Sequence, residues 1–282
     1  MQNNKVSLVI FSCEGRERLL INTLTSFLAK ANFTFDQVIL AIDGPFDLRS
    51  INLKSDLIVQ SPVRKGYVNS ITTALKLITS EYFVWLEDDW EFFDDLKIQS
   101  YLKYLQENEN FAQITHSKYG PLPPDFKNRF LMSDLYENHG FSANPCICRT
   151  SFLQEAFTDL TLQSSKDDFK LTGFETFLTA YFKNKKYKCI IIDREMKIMD
   201  HSGYLESTDR QYHMIHSLSE HTEQTYISGF GSDVEISIRS RLFMLPKLLI
   251  SFVILSGRLL FDRQSYDYAL RVCTGRPKKI KR

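Results

Sequence analysis

Along the first hundred residues, short apolar runs alternate with segments of helical spacing. Residues 5–12 (KVSLVIFS) are largely apolar and read as a buried strand. Residues 16–29 then place Leu19, Leu20, Leu24, Phe27 and Leu28 on one side of a helix. Residues 37–42 (QVILAI) form a second strand, stopped by the turn signal Asp43-Gly44-Pro45. Residues 57–60 are a short third strand. Residues 67–78 are a helix with Ile71, Ala74, Leu75 and Ile78 inward, and residues 83–86 (FVWL) are a fourth strand. This alternation predicts βαβ units in an α/β fold, a three-layer α/β/α arrangement with a mostly parallel central sheet.

From about residue 110 the rhythm changes. Residues 120–126 (GPLPPDF) read as a proline-rich loop, and 141–148 (FSANPCIC) run irregularly into a strand. Residues 152–157 and 174–182 have helical spacing, and 189–192 (CIII) read as another buried strand. Residues 246–262 (PKLLISFVILSGRLLFD) form an apolar helix with Lys247, Ser251, Arg258 and Asp262 in one narrow stripe. That segment falls short of the roughly 20 apolar residues of a membrane span. Two readings stand. The helix packs on the body of the protein, or it lies in an anionic membrane surface with the basic residues of the tail (Arg271, Arg276, Lys278, Lys279, Lys281, Arg282).

Composition narrows the class. The chain has 282 residues and 43% hydrophobic content, which supports a packed core rather than disorder. A net charge of +1 gives no bulk electrostatic reason to expect a nucleic-acid partner. Five cysteines, an odd number without a CxxC pair, point to reduced thiols and a cytoplasmic setting, with the membrane face as the site of any peripheral attachment. Charged residues from Glu14 to Arg18 interrupt the first apolar run too early for a signal peptide.

The chemistry concentrates where the fourth strand ends. Residues 82–93 read YFVWLEDDWEFF, so an apolar run stops at three carboxylates, Glu87, Asp88 and Asp89. In an open α/β sheet, ligands bind outside the carboxyl ends of the strands. Adjacent carboxylates are tolerated when solvated, when one takes a proton, or when a cation sits among them. Oxygen donors in this number suit Mg²⁺ or Mn²⁺. The plain alternative is a solvated acidic turn.

The order of these features resembles the GT-A glycosyltransferases, in particular the family-2-like enzymes that use nucleotide-diphosphate sugars. The features are a strand ending at Ser12-Cys13-Glu14-Gly15-Arg16, a strand ending at Asp43-Gly44, Arg64-Lys65-Gly66 before a helix, and a strand ending at Glu87-Asp88-Asp89. The likeness is strongest over residues 5–95. It implies a nucleotide-sugar-binding half (1–110), an acceptor-binding and catalytic half of the same domain (111–205), and a C-terminal helical extension (206–282). Asp43 resembles the aspartate that recognises the nucleotide base, the alternative being an Asx-turn. Ser12 and Glu14 would wall the nucleotide pocket, although Glu14 also suits the first turn of a helix. Arg64 and Lys65 resemble the basic pair that faces the diphosphate. Glu87-Asp88-Asp89 resembles the DxD motif, with Asp89 as metal ligand and Asp88 or Glu87 on ribose or sugar. Trp90 would shape the sugar pocket or belong to the core.

In Gly173-Phe174-Glu175-Thr176, Glu175 matches the first acid of the family's acidic pair, and Thr176 stands where the usual aspartate would be. Glu175 is therefore the candidate base, with Asp167 and Asp168 in reserve. His201, beside Ser202-Gly203, resembles a late-loop metal ligand. The resemblance implies transfer of a sugar, a UDP-sugar being the favoured donor, to a saccharide, glycolipid or protein acceptor, with inversion and with Mn²⁺ or Mg²⁺. The rival from another class is a non-catalytic, nucleotide-sugar-binding scaffold at a membrane surface, favoured by Thr176.

Overall fold

The computed structural model describes residues 5–117, 120–164 and 174–201. The chain divides into two units, Met1–Ile227 and Ser228–Arg282, and every described residue lies in the first. The amphipathic segment 246–262, the basic tail, and the reserve acids Asp167 and Asp168 lie outside the described residues.

Strand β1 (Val6–Cys13) leads to α1 (Glu17–Ala31), β2 (Gln37–Asp43), β3 (Leu57–Gln60), α2 (Tyr67–Leu75) and β4 (Tyr82–Glu87). Each predicted element of this half is present within a few residues of its expected ends. Beyond it come β5 (Glu91–Phe92), α3 (Ile98–Glu107), β6 (Phe111–His116), β7 (Phe130–Met132), β8 (Leu135–Glu137), β9 (Cys146–Arg149), α4 (Thr150–Ser164), α5 (Phe174–Lys185), β10 (Lys188–Ile192) and β11 (Met199–Asp200). A 3-10 helix, Pro124–Arg129, replaces the end of the expected proline-rich loop; its first proline supplies the fixed φ that a helix start needs.

Among the described residues, nine strands form one sheet in the order β3-β2-β1-β4-β9-β6-β10-β8-β7. β1 pairs in parallel with β2 and β4, and β10 with β6. β9 is inserted antiparallel between β4 and β6, and β8 also runs against the rest. The sheet is thus mostly parallel, and the carboxyl ends of β1, β2, β4, β6 and β10 share one edge.

Both faces are covered, which is why β1 and β4 are apolar at nearly every position. On one face Leu8, Ile10, Val84 and Leu86 pack with Leu20, Leu24 and Phe27 of α1 and with Tyr101, Leu102 and Leu105 of α3. On the other, Val9, Phe11, Phe83 and Trp85 pack with α2, α4 and α5. Trp85 is fully buried there, with Phe11, Phe141 and Phe174 as ring neighbours.

Candidate active site at the carboxyl edge of the sheet

β4 ends by delivering Glu87, Asp88 and Asp89 to a turn at the shared edge. Asp88 and Asp89 are 4% and 6% exposed, so this is not a solvated acidic loop. Burying charge at that level requires compensation. It comes from Arg16, in the turn between β1 and α1. The Arg16 Nε lies 2.9 Å from both Asp88 carboxylate oxygens. Its Nη2 lies 2.7 Å from Asp88 Oδ1 and 2.6 Å from Asp89 Oδ2. Burial works against the guanidinium charge, but Asp88 and Asp89 outweigh it and raise the Arg16 pKa. Ser12, at the end of β1, donates its hydroxyl to Asp88 Oδ2 at 2.5 Å.

The same helix clamps the next residue. Thr23 Oγ1 donates to the Trp90 carbonyl at 2.8 Å and accepts from the Trp90 N–H at 3.0 Å. The two-stranded antiparallel sheet of β5 and β11 sets Met199 opposite Phe92 and Asp200 opposite Glu91. One position further on, His201 meets Trp90. Their rings stack with centroids 4.5 Å apart and planes 5° apart. Trp90 is 1% exposed and belongs to the core rather than to an open sugar pocket. His201 Nε2 lies 2.9 Å from Asp89 Oδ2. Burial pushes the Asp89 pKa up, but His201 and Arg16 together hold it below the usual carboxylate value.

Glu87 turns to the opposite face of the sheet. Tyr67, at the start of α2, donates its hydroxyl to Glu87 Oε1 at 2.5 Å, and Trp90 Nε1 approaches Oε2 at 3.5 Å. Burial, then the charge of Asp89, raises the Glu87 pKa well above its ordinary value. Glu175, in the first turn of α5, is close enough for its charge to add to that effect. Its Oε1 accepts from the Ala143 N–H at 2.6 Å. Phe174, beside it, packs on Trp85 and Tyr67, so the aromatic cluster of this face carries the α5 N-terminus to the end of β4. Thr176 is exposed.

The base-recognition candidate is placed by different means. Asp43 Oδ1 accepts from the Lys65 N–H at 2.7 Å and from Ser61 Oγ at 3.2 Å, and Oδ2 accepts from the Gly66 N–H at 3.0 Å. These bonds cross to the loop before α2, so the local Asx-turn reading is replaced by a long-range clamp. Gly44 and Gly66 take φ of +95° and +93°, where side chains are strained. A Cβ on Gly44 would stand 2.8 Å from Arg64 Cγ. Arg64 runs across that glycine to the Glu14 carbonyl and to Glu14 Oε2 at 3.3 Å. Glu14 precedes α1, whose first-turn acid is Glu17, so the helix-turn reading of Glu14 does not hold. Lys65 is exposed.

Ser12, Glu14, Asp43, Arg64, Lys65, Glu87, Asp88, Asp89, Glu175 and His201 therefore stand at or beside one edge of the sheet, on six separate segments of the chain. Arg16 and Tyr67 were missed by the sequence reading. Arg16 carried a usable signal, a cationic residue in the turn after the first strand, whereas Tyr67 read as an ordinary helix start. A half-open cavity of about 480 Å³, walled by Asp134, Tyr136, Asp193 and Arg194, contains none of the expected residues.

Among the described residues, no group of three or more His, Cys, Asp or Glu side chains is arranged as a complete metal cage. Mg²⁺-type sites commonly use one or two carboxylates and complete the shell with substrate phosphates and water. Asp89 and His201 meet that lesser requirement, and a guanidinium already stands as the cation on their shared oxygen.

The mostly parallel sheet, with its buried acidic turn at the carboxyl edge, has the GT-A glycosyltransferase fold, as the comparisons with known proteins show. The model of "Glycosyl transferase family 2" matches residues 7–164, more than half of the chain, and the protein belongs to that family. Among solved structures, that of GalNAc-T7 with UDP, GalNAc and Mn²⁺ is similar, with a TM-score of 0.51 and 11% identity over 71% of this chain. The matched region is 44% of that structure's own length. TarS residues 1–349 of S. aureus give a TM-score of 0.48, with 13% identity over 86% of this chain and 79% of theirs. The mannosyltransferase PcManGT from Pyrobaculum calidifontis, with GDP-Man and Mn²⁺, gives 0.47, with 15% identity over 68% and 55%. No curated protein matches the chain.

Proposed function

We propose that the protein transfers a sugar from a nucleotide-diphosphate sugar to an acceptor hydroxyl, with inversion, using Asp89 and His201 to hold Mn²⁺ or Mg²⁺. The observation that carries this reading is the buried Asp88–Asp89 turn, with the His201 imidazole 2.9 Å from Asp89 Oδ2 at the carboxyl edge of the sheet. A divalent cation in such a place supplies Lewis-acid stabilisation to a departing diphosphate. Asp43 and Ser12 stand on the nucleotide side, with Glu14, Arg64 and Lys65 at its rim. Glu87, half-buried at the end of β4 and held by the Tyr67 hydroxyl, is the contact for a sugar or ribose hydroxyl. Glu175 takes the acceptor proton as general base.

A UDP-sugar is the favoured donor; the UDP and Mn²⁺ of the GalNAc-T7 structure agree with it. Acceptors of the saccharide, glycolipid or protein class all present the required hydroxyl. Attachment to an anionic membrane surface through residues 246–282, on the cytoplasmic side, belongs to the same proposal and would favour a glycolipid. Exposed Thr176, in place of an acid, favours the second reading, a scaffold that binds nucleotide-sugar without turnover.

Thermal unfolding with UDP, GDP, CMP and dTDP, with and without Mn²⁺, tests the donor site without an acceptor. Ligand at 100 times its dissociation constant adds about 2.7 kcal/mol. The expected result is a shift with one nucleotide that needs Mn²⁺ and disappears in Asp89→Ala. No shift with any of them would overturn the proposal.

A further inference from the structure

The cation already present at the acidic turn belongs to the chain itself. Asp89 Oδ2 has Arg16 Nη2 at 2.6 Å and His201 Nε2 at 2.9 Å. A divalent ion bound to that oxygen would sit about 2.1 Å from it. Guanidinium and metal would then be two like charges a few ångströms apart in a pocket whose carboxylates are 5% and 8% exposed. Low local dielectric makes that repulsion severe. The Arg16 Nη2 contact and a metal on that same oxygen, Asp89 Oδ2, therefore exclude each other.

Asp88 makes no such demand. It holds Arg16 through Nε at 2.9 Å and accepts from Ser12, and neither contact involves Asp89. Arg16 can keep Asp88, through Nε and Nη2, and release Asp89, but a largely buried guanidinium that loses one of its two carboxylates then draws another anion. A diphosphate fits: its charge and its paired oxygens suit the planar fork of an arginine.

We infer that Arg16 couples metal binding to diphosphate binding. Without a diphosphate the guanidinium holds Asp89 and keeps the free cation out. When diphosphate and metal arrive together, the guanidinium passes from Asp89 to a phosphate oxygen. This rests on Asp89 as the metal ligand proposed above.

The test is titration of the full chain with Mn²⁺, following free Mn²⁺ by its paramagnetic resonance, alone and with UDP, GDP or dTDP. The proteins are wild type, Arg16→Gln, Arg16→Lys and Asp89→Asn. Arg16→Gln is expected to bind Mn²⁺ without nucleotide about tenfold more tightly than wild type, and to lose a similar factor of the nucleotide's help. Arg16→Lys, which cannot span both carboxylates, keeps a buried cation should the glutamine variant not fold. It is expected to shift in the same direction by a smaller factor. Nucleotide-free Mn²⁺ affinity that neither folded variant raises, with Asp89→Asn still abolishing binding, would overturn the coupling and leave the metal assignment standing. Mn²⁺ binding indifferent to Asp89→Asn, or absent throughout, would overturn the metal assignment and the coupling with it.

Discussion

The His201 imidazole lies flat on the Trp90 indole, with ring centroids 4.5 Å apart and planes 5° apart. Trp90 is in turn fixed through its backbone by Thr23 of α1. A residue from the end of the described chain is thus held against the acidic turn by a ring face and a two-stranded antiparallel sheet. Trp90→Leu removes the flat face, and nucleotide-dependent Mn²⁺ affinity is expected to fall about tenfold, as for other residues that orient a metal ligand. Trp90→Phe keeps a face and should lose much less. Equal losses in the two variants, measured by Mn²⁺ titration, would show that stacking does not position His201.

Glu175 has a structural task as well as a proposed chemical one, since it accepts the Ala143 N–H. Glutamine retains the acceptor oxygen. Glu175→Gln should therefore fold normally, keep its affinity for nucleotide with Mn²⁺, and release nucleoside diphosphate from the donor about 10²–10⁴ times more slowly, even with water as acceptor. Weakened nucleotide binding with unchanged release would assign Glu175 to the donor pocket instead.

His116 ends β6 with its Nδ1 buried and without a hydrogen-bond partner, packed edge-to-face on Tyr101. Burial, then the charge of Arg194, lowers its pKa to about 3. The unfolded chain would bind this proton near pH 6.5. The stabilising contribution is therefore full above that value and is lost as pH falls toward 3, at up to about 1.4 kcal/mol per pH unit. His116→Gln should flatten the decline in unfolding free energy between pH 6.5 and about 4. A variant whose curve parallels that of wild type over this range would refute the assignment of the acid sensitivity to His116.

Local pattern accounts for much of the fold. β1, β2 and β4 are legible because strands covered on both faces must be apolar throughout, and α1 and α2 because a helix with one buried face repeats near 3.6; β3, an edge strand with Leu57 and Ile58 exposed, is legible only as a short apolar run. α3 follows the same rule, with Ile98, Tyr101, Leu102 and Leu105 buried, although it is short and stands between two less regular stretches. β6 is harder to see. Its Gln113, Thr115 and His116 are buried polar residues. Two of them are satisfied only by contacts from afar: Gln113 donates to the Ser142 carbonyl and Thr115 to that of Pro145. The insertion of β9 between β4 and β6 has no local signature, because sheet order follows from which faces can be buried together.

The candidate site divides along the same line. By itself the sequence determined that three carboxylates end a buried strand, that an aspartate and glycine end another, and that a glutamate opens a late helix. Only the tertiary structure decided that the carboxylates are buried rather than solvated, that Arg16 reaches Asp88 across 72 residues of chain, and that Tyr67, Glu175 and His201 converge on the same turn. Periodicity reports which side chains leave water, because burial of apolar surface repeats with the geometry of the element. It says nothing of where a buried charge finds its counter-ion, because that partner is set by the meeting of distant turns.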